Sequence, residues 1–223
     1  MTPAQIAIPF PNTPSFKDED YLVSNCNSNV FNAVSQWPNW AYPVYRIEGP
    51  RGSGKTHLGK IWQRQTGAKL IEANDLADHL EGYAKNPTHI LVENIDHTIG
   101  EDDLFHLYNL VRAENKNMLM TSTCSLAEWN LTLPDLISRM STVPVFSISE
   151  PDDQLMRMVL MKLSSDRQIQ LNLNVIEYLL PRIERSFEAI QRYVLALDEY
   201  SLREKRKITI PLAKKIIAEI NGE

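Results

Sequence analysis

One stretch of the chain, residues 49–56, constrains the fold more than any other. It reads Gly-Pro-Arg-Gly-Ser-Gly-Lys-Thr and matches the pattern G-x-x-x-x-G-K-[ST] at every position, between a predicted strand (44–47) and a predicted helix (57–62). Backbone N–H groups of such a loop converge on phosphate oxygens, its lysine reaches the β and γ phosphates, and its final hydroxyl ligates Mg²⁺. A glycine loop without a ligand is the alternative. The candidate nucleotide-binding residues are Gly49, Pro50, Arg51, Gly52, Ser53, Gly54, Lys55 and Thr56.

Composition and charge are those of an ordinary globular protein. The 223 residues are 43% apolar and 23% charged, with a net charge of −5 and a pI near 5.6. This acidic balance disfavours a protein that coats DNA through bulk electrostatics, although a local basic patch stays open. The two cysteines lack C-x-x-C spacing, and the sequence shows neither a secretory apolar segment nor an apolar run of about 18 residues. We expect a reduced, cytoplasmic location and no membrane span.

Strand and helix patterns alternate along the first two thirds of the chain. Such an order predicts a parallel α/β sheet, in which Pro144 marks an edge strand or a bulge and Asn74 caps a helix. The predicted strands after the loop are 69–72, 90–96, 117–123 and 143–148, and the helices between them cover 76–83 and 104–111.

After residue 150 the strand patterns stop and only helical spacing remains. We therefore predict an extended arm over residues 1–20, an α/β nucleotide-binding domain over 21–150 and a small helical domain over 151–223. The helical patterns of the last part cover 155–163, 175–183, 187–202 and 212–220, with Pro211 in a first helical turn.

The strand over residues 90–96 ends in acidic and amide side chains. In P-loop proteins a carboxylate at this place holds the Mg²⁺ of the nucleotide, and Glu93 is the candidate, together with Thr56. The next position commonly carries the acid that polarises the attacking water, but here it is Asn94, whose amide cannot accept a proton. We therefore expect slow intrinsic hydrolysis. Ser122 and Thr123 end another strand and could sense the γ phosphate; plain capping of the strand ends is the alternative at both places.

The first 20 residues contain four prolines and an acidic run, which is typical of an extended, solvated arm. Its one apolar patch has nothing of its own to bury against, so it resembles a peptide that docks in another protein's groove. An arm that folds back on its own domain is the alternative. The docking residues would be Gln5, Ile6, Ile8, Pro9 and Phe10.

Between the arm and the first strand, residues 21–36 predict an apolar entry and a helix capped by Asn25 or Ser28. This segment is expected beside the phosphate loop. Tyr21 and Leu22, together with His57 after the loop, are therefore further candidate nucleotide contacts.

A P-loop α/β domain followed by a small helical domain resembles an AAA+ ATPase. Residues 121–123, 133–139 and 206–211 narrow the resemblance to the family of the bacterial replication initiator DnaA and its shorter relative Hda. The chain ends where the lid of that family ends. Its arm is similar to the family's clamp-binding peptide, which implies that residues 5–10 bind the DNA polymerase sliding clamp.

The resemblance also assigns roles by position. Lys55 and Thr56 match the Walker A residues, Glu93 takes the Walker B place and Arg139 matches the arginine finger. The chain departs from the family's pattern at two places. Glu-Asn replaces the initiator's Asp-Asp, and the lid arginine called sensor 2 falls on Glu188, so that Arg185, one helical turn earlier, becomes a substitute candidate for nucleotide contact.

The function that the resemblance implies is negative regulation of replication initiation. With ADP or ATP and Mg²⁺ bound, and held on the clamp, such a protein would insert Arg139 into the ATP site of DnaA and stimulate hydrolysis there. Its own ATPase would be weak or absent, DNA would be reached only through the clamp, and self-association stays open. One alternative is a DnaA-like or helicase-loader DNA-binding ATPase, which needs a basic groove. Another is a P-loop small-molecule kinase, against which the helical lid counts.

Overall fold

The computed structural model describes residues 20–86, 88–204 and 207–222, which divide after Glu150 into two compact units. The candidate clamp-binding residues 5–10 lie outside this part of the chain. The first unit is built on the strands β1 (Val44–Glu48), β2 (Lys69–Glu72), β3 (Ile90–Ile95), β4 (Met118–Ser122) and β5 (Val145–Ser147). Its α-helices are α1 (Ser28–Ser35), α2 (Lys55–Thr66), α3 (Leu76–Lys85), α4 (Glu101–Ala113) and α5 (Pro134–Thr142), with 3₁₀ turns at Ala73–Asp75 and Leu126–Trp129.

The five strands are parallel and lie in the order β2-β3-β4-β1-β5, which confirms the predicted α/β class. Within the described sheet β5 pairs with β1 alone, so it is the edge strand that Pro144 predicted. The Pro144 carbonyl accepts the N–H of Arg46 at 3.0 Å. The strand that leads into residues 49–56 therefore lies one place from the edge, beside β4.

The two faces of the sheet carry different helices. Side chains alternate along a strand, and Val92 of β3 packs into an apolar cluster with side chains of α3, α4 and α5. Its neighbours Leu91 and Glu93 face Gly59 of α2, where an added Cβ would lie 3.0 Å from Leu91 Cδ2 and 3.3 Å from Glu93 Oε1. The helix α2 thus lies on one face, and α4 and α5 lie on the opposite one.

Both predicted helix caps are wrong. The helix α1 begins after Asn27, rather than after Asn25 or at a Ser28 cap, and the Asn27 side chain accepts from Ser24 N at 2.8 Å and donates to Leu22 O at 2.9 Å. Asn74 lies inside a 3₁₀ turn, and its Oδ1 accepts from Thr98 Oγ1 at 3.1 Å. Asn and Asp side chains suit turns as well as caps, so spacing alone did not separate these roles.

The second unit is helical, with α6 (Asp153–Asp166), α7 (Leu173–Leu179), α8 (Phe187–Glu204) and α9 (Ile210–Asn221). The helix α7 ends earlier than predicted, because Pro181 has no N–H with which to continue the helical ladder. Pro211 lies in the first turn of α9 as predicted. Across the described residues, no helix combines the length and apolarity needed to cross a membrane. The apolar core of this helical unit includes Met156, Leu160, Ile176, Tyr193, Leu197 and Ile216.

A carboxylate ties the start of α4 to the start of α5. Glu101 accepts hydrogen bonds from Leu133 N at 2.7 Å and from Thr132 N and Oγ1 at 2.8 and 2.9 Å. These bonds, led by that from Leu133 N, hold the pKa of Glu101 below its ordinary value. Glu101 thus satisfies backbone donors at the beginning of the helix that carries Arg139.

Replacing Glu101 by glutamine should lower the free energy of unfolding at pH 7 and make it less dependent on acid pH. Because the folded-state pKa is depressed, the charged carboxylate stabilises the fold above the unfolded pKa, about 4.3, and this contribution is lost as the pH falls through the lower folded pKa. Urea unfolding of the wild type and of Glu101→Gln at several pH values measures the gap between their free energies of unfolding. Asp102→Asn, an exposed change in the same helical turn, serves as the control. A gap that does not narrow on acidification would contradict the assignment.

Candidate functional site

Residues 49–56 form a tight loop between β1 and α2. Gly52 and Gly54 have φ angles of 73° and 92°, in the left-handed region that favours glycine, and α2 begins directly after Gly54. At Gly49 an added Cβ would lie 3.0 Å from the carbonyl of Ile148 and 3.1 Å from Ser53 Oγ, so the backbone is closely packed there. The loop therefore presents the N-terminal end of a 12-residue helix at the carboxyl edge of the sheet.

Lys55 is folded into this loop. Its Nζ donates to the carbonyls of Gly49 at 2.7 Å and Pro50 at 2.8 Å, and the side chain is almost fully buried. An ammonium group has three donors, so one remains for a phosphate oxygen. Burial lowers the pKa of Lys55 to about 8; the charge of Glu93 opposes this shift and that of Arg51 adds to it.

Glu93 lies beneath the loop, on the face of the sheet that carries α2. It is 2% exposed, and burial raises its pKa, while a hydrogen bond from Thr56 lowers it and the charge of Glu72 raises it further. Its Oε1 is buried and has no hydrogen-bond partner among the described residues. An unpaired buried carboxylate oxygen beside a threonine hydroxyl fits a hard divalent cation such as Mg²⁺. Nowhere in the described ranges do three or more His, Cys, Asp or Glu side chains cluster as a metal site, so the protein's own ligands would be Thr56 and Glu93.

Asn94, the residue after Glu93, is held in an unusual conformation. Its φ is 61°, its N–H donates to Thr121 Oγ1 at 3.2 Å, and its Nδ2 donates to Glu72 Oε2 at 2.8 Å. Glu72 is a functional candidate that sequence reasoning missed. Its only signal would have been the register of β2 against β3, which places Glu72 opposite Glu93.

Tyr21 and His57 border the loop. The Tyr21 ring stacks on Phe31 at 5.6 Å, meets the His57 ring edge-on at 5.4 Å, and lies 3.2 Å from the position of a Cβ on Gly54. The structure thus brings Tyr21 and His57 to the phosphate loop as expected from the sequence. Leu22 follows in the chain and uses its carbonyl to accept from Asn27.

The strand end at Ser122 does not form a phosphate sensor. The Ser122 hydroxyl is fully buried, lies 2.7 Å from Ile95 O and 2.8 Å from Cys124 O, and accepts from Trp129 Nε1 at 3.1 Å. Its bonding capacity is filled by the protein, so the sensing role proposed for Ser122 is wrong. Thr123 is exposed.

Arg139 lies on α5, on the sheet face opposite α2. Its Nη1 donates to Asn109 Oδ1 at 2.7 Å, and its guanidinium lies over the rings of Phe105 at 4.8 Å and Tyr108 at 5.5 Å. All three partners belong to α4, and the described residues contain no carboxylate partner for Arg139. Its positive charge is therefore held in place without being neutralised. It lies on the sheet face opposite the one that carries Lys55 and Glu93 at the chain's own phosphate loop.

Arg185 belongs to the helical unit and forms an ion pair there. Its Nη2 contacts Asp153 Oδ1 at 2.7 Å, and both side chains are more than half exposed. An exposed pair of this kind is weak and can exchange partners. A nucleotide contact by Arg185 therefore stays a prediction.

Comparisons with known proteins agree with this architecture. Residues 152–217 match the family described as "Hda, lid domain". An uncharacterised protein of Haemophilus influenzae is 26% identical over 188 residues, which is 78% of this chain and 81% of that protein.

Solved structures of DnaA proteins share the fold. Domain III of the replication initiation protein DnaA from Thermotoga maritima is 19% identical with a TM-score of 0.79, covering 94% of this chain and 98% of that one. AMPPCP-bound DnaA from Aquifex aeolicus is 20% identical with a TM-score of 0.67, covering 88% and 71%. The lid match covers residues 152–217, and the likeness to the DnaA structures shows that the chain shares their fold.

Proposed function

We propose that the protein is a DnaA-related AAA+ regulator of replication initiation that supplies Arg139 in trans to the ATP site of the initiator. The observation that carries this proposal is the state of Arg139. Its guanidinium is ordered by two aromatic rings and an amide, has no carboxylate partner among the described residues, and lies on the face opposite its own phosphate loop. An ordered guanidinium of this kind can neutralise charge that develops on a phosphoryl group of a neighbouring molecule.

The protein's own loop is proposed to bind ADP or ATP with Mg²⁺. The left-handed glycines, the third donor of Lys55 and the unpaired oxygen of Glu93 support this part of the proposal. AMPPCP is bound in a DnaA structure of the same fold. The Tyr21 and His57 rings meet edge-on beside the phosphate loop, and this aromatic surface is the proposed contact for the nucleobase.

The experiment that tests the proposal follows hydrolysis of ATP bound to the initiator. Acceleration is expected when this protein, the sliding clamp and DNA are present together, and it should be lost when any of the three is left out. DNA-stimulated turnover of this protein's own ATP, with the initiator unaffected, would favour the DNA-binding ATPase instead.

The arm is proposed to hold the protein on the clamp. Replacing Ile8 and Phe10 by alanine should weaken clamp binding by at least ~2 kcal/mol, roughly thirtyfold, because a few apolar anchors carry most of the affinity of such a peptide. Binding to immobilised clamp measures the change. Alanines at Asn12 and Thr13, polar positions of the same arm, serve as the matched control. Equal clamp binding by a chain that lacks residues 1–12 would exclude this role.

A further inference from the structure

A buried arginine lies beneath the helix that carries Arg139. Arg46 is the central residue of β1, and its side chain is 5% exposed. Side chains alternate along a strand, and Val44 packs into the apolar cluster on the face that carries α4 and α5, so Arg46 points to the same face. An arginine is almost never buried unless it is paired, so its position in this strand requires specific partners.

Three groups surround the Arg46 guanidinium. Its Nη1 donates to the carbonyl of Met140 at 3.5 Å, its Nε lies 2.9 Å from Glu48 Oε1, and its central carbon lies 5.2 Å from the centre of the Trp129 ring. Neither Nε nor Glu48 Oε1 has an aligned hydrogen-bond partner among the described residues, so the contact with Glu48 is ionic. Burial lowers the pKa of Arg46, and the charge of Glu48 opposes this shift. The carbonyl of Met140 therefore supplies a hydrogen-bond acceptor to a charge that has little access to water.

The Met140 carbonyl belongs to the last turn of α5. That helix ends at Thr142, and the last four carbonyls of a helix have no partner further along it. The Met140 carbonyl accepts from Val143 N at 3.3 Å and from Arg46, so a side chain of the sheet shares in capping the helix. The partial negative charge at a helix C-terminus favours a cation there. Arg46 thus contacts the residue that directly follows Arg139 in the chain.

Charged side chains from other elements hold both ends of α5. Glu101 of α4 accepts from the backbone N–H groups of Thr132 and Leu133, just before the helix begins, and Arg46 of β1 donates near its end. Each charge has the sign that its helix end favours. With nine residues α5 is too short to be stable by itself, so such contacts set its place on the sheet.

The contacts of Arg46 and those of Arg139 act on different parts of α5. Side chains of α4 order the Arg139 guanidinium, whereas Arg46 holds the adjacent backbone against β1. A guanidinium that must reach a phosphoryl group of another molecule depends on both, because an error of about 1 Å in the position of a reacting group can cost ~100-fold in rate.

We propose that Arg46, paired with Glu48, is a positioning residue that fixes the last turn of α5, so that Arg139 meets the phosphoryl group of the neighbouring molecule. Arg139 acts in trans under the proposed function, on which this inference rests. Loss of the Arg46–Glu48 pair should therefore slow the hydrolysis of initiator-bound ATP within the complex without weakening the complex itself.

Hydrolysis of initiator-bound ATP on clamp-loaded DNA, titrated with this protein, tests the inference. Arg46→Met combined with Glu48→Gln removes both charges at similar side-chain volume, and removal of a complete buried ion pair is often neutral or stabilising. The maximal rate should fall about tenfold or more, while the concentration for half-maximal stimulation and the midpoint of thermal unfolding stay near their wild-type values. Arg46→Lys keeps a cation beneath α5 but lacks the separate donors of a guanidinium, so its maximal rate should lie between those of the wild type and the double variant.

Ile71→Val is the matched control for a general loss of core stability. It removes one buried methylene group from β2, which lies at the edge of the sheet opposite β5. Because Ile71 is distant in the sheet from β1 and α5, this variant should keep the wild-type maximal rate even where the lost methylene lowers its thermal midpoint.

The outcomes distinguish this inference from the proposed function. Absence of stimulation by the wild type, or full stimulation by Arg139→Ala, overturns the proposed function and this inference with it. Where Arg139→Ala loses stimulation, a wild-type maximal rate for the double variant overturns this inference alone. A loss that shows only in the half-maximal concentration, or that Ile71→Val reproduces, does the same. Should the double variant not fold, Arg46→Lys decides in its place, since a wild-type maximal rate for that variant contradicts the positioning role.

Discussion

Replacing Arg139 by alanine should remove the stimulation of initiator-bound ATP hydrolysis, a loss of about 10³-fold or more for an arginine supplied in trans. The variant should keep its own nucleotide affinity and its clamp binding, because Arg139 contacts α4 on the face opposite the phosphate loop. The measurement is hydrolysis of ATP bound to the initiator on clamp-loaded DNA, with both binding affinities determined alongside.

Two further variants sharpen this result. Arg139→Lys should restore little activity, because an ammonium lacks the planar fork that spans two phosphate oxygens. Arg112→Ala is the matched control, since Arg112 is an exposed arginine on α4 whose guanidinium also lies over Tyr108, at 5.8 Å. Full stimulation by Arg139→Ala would refute the trans mechanism. Equal losses from Arg112→Ala would point to general disturbance of the α4 surface.

Replacing Lys55 by alanine should weaken ADP and ATP binding by about a hundredfold or more, or ~3 kcal/mol, because phosphate oxygens lose a charged donor in a buried site. The effect acts through phosphate contact, since Lys55 keeps one donor beyond the two that it gives to Gly49 and Pro50. Calorimetric titration with each nucleotide measures the change.

Lys85→Ala, which removes an exposed lysine from the end of α3, controls for the loss of a positive charge. Thermal unfolding without nucleotide reports whether the loop variant retains its fold. Nucleotide affinity equal to that of the wild type would show that residues 49–56 do not bind phosphate through Lys55.

The class of the fold and the position of the loop followed from local signals. The glycine spacing of residues 49–56 encodes left-handed backbone directly, and alternating strand and helix patterns leave few arrangements other than a parallel sheet. Pro144 identified the edge strand because its missing N–H excludes it from the centre of a sheet.

Features that depend on contacts between distant residues did not follow in this way. The Glu72–Asn94 bond requires the register of two strands, and the setting of Arg139 on Phe105 and Asn109 requires the packing of α5 against α4. The error at Ser122 has the same origin, because its hydroxyl is filled by Trp129 and by carbonyls on other segments. Local sequence specifies the backbone at these points but not the tertiary partners of their side chains.

Because α2 and α5 lie on opposite faces of one sheet, the phosphate loop and Arg139 belong to different surfaces of the first unit. A contact that joins Arg139 of one molecule to the phosphate loop of another joins unlike surfaces, so it propagates head to tail and does not close about a two-fold axis. Each such contact has one donor and one acceptor, and a molecule that uses its Arg139 face still has its loop face unoccupied. Under the proposed function, a row of domains built by this contact would therefore have two different ends, and this protein would join the row at one end through its arginine.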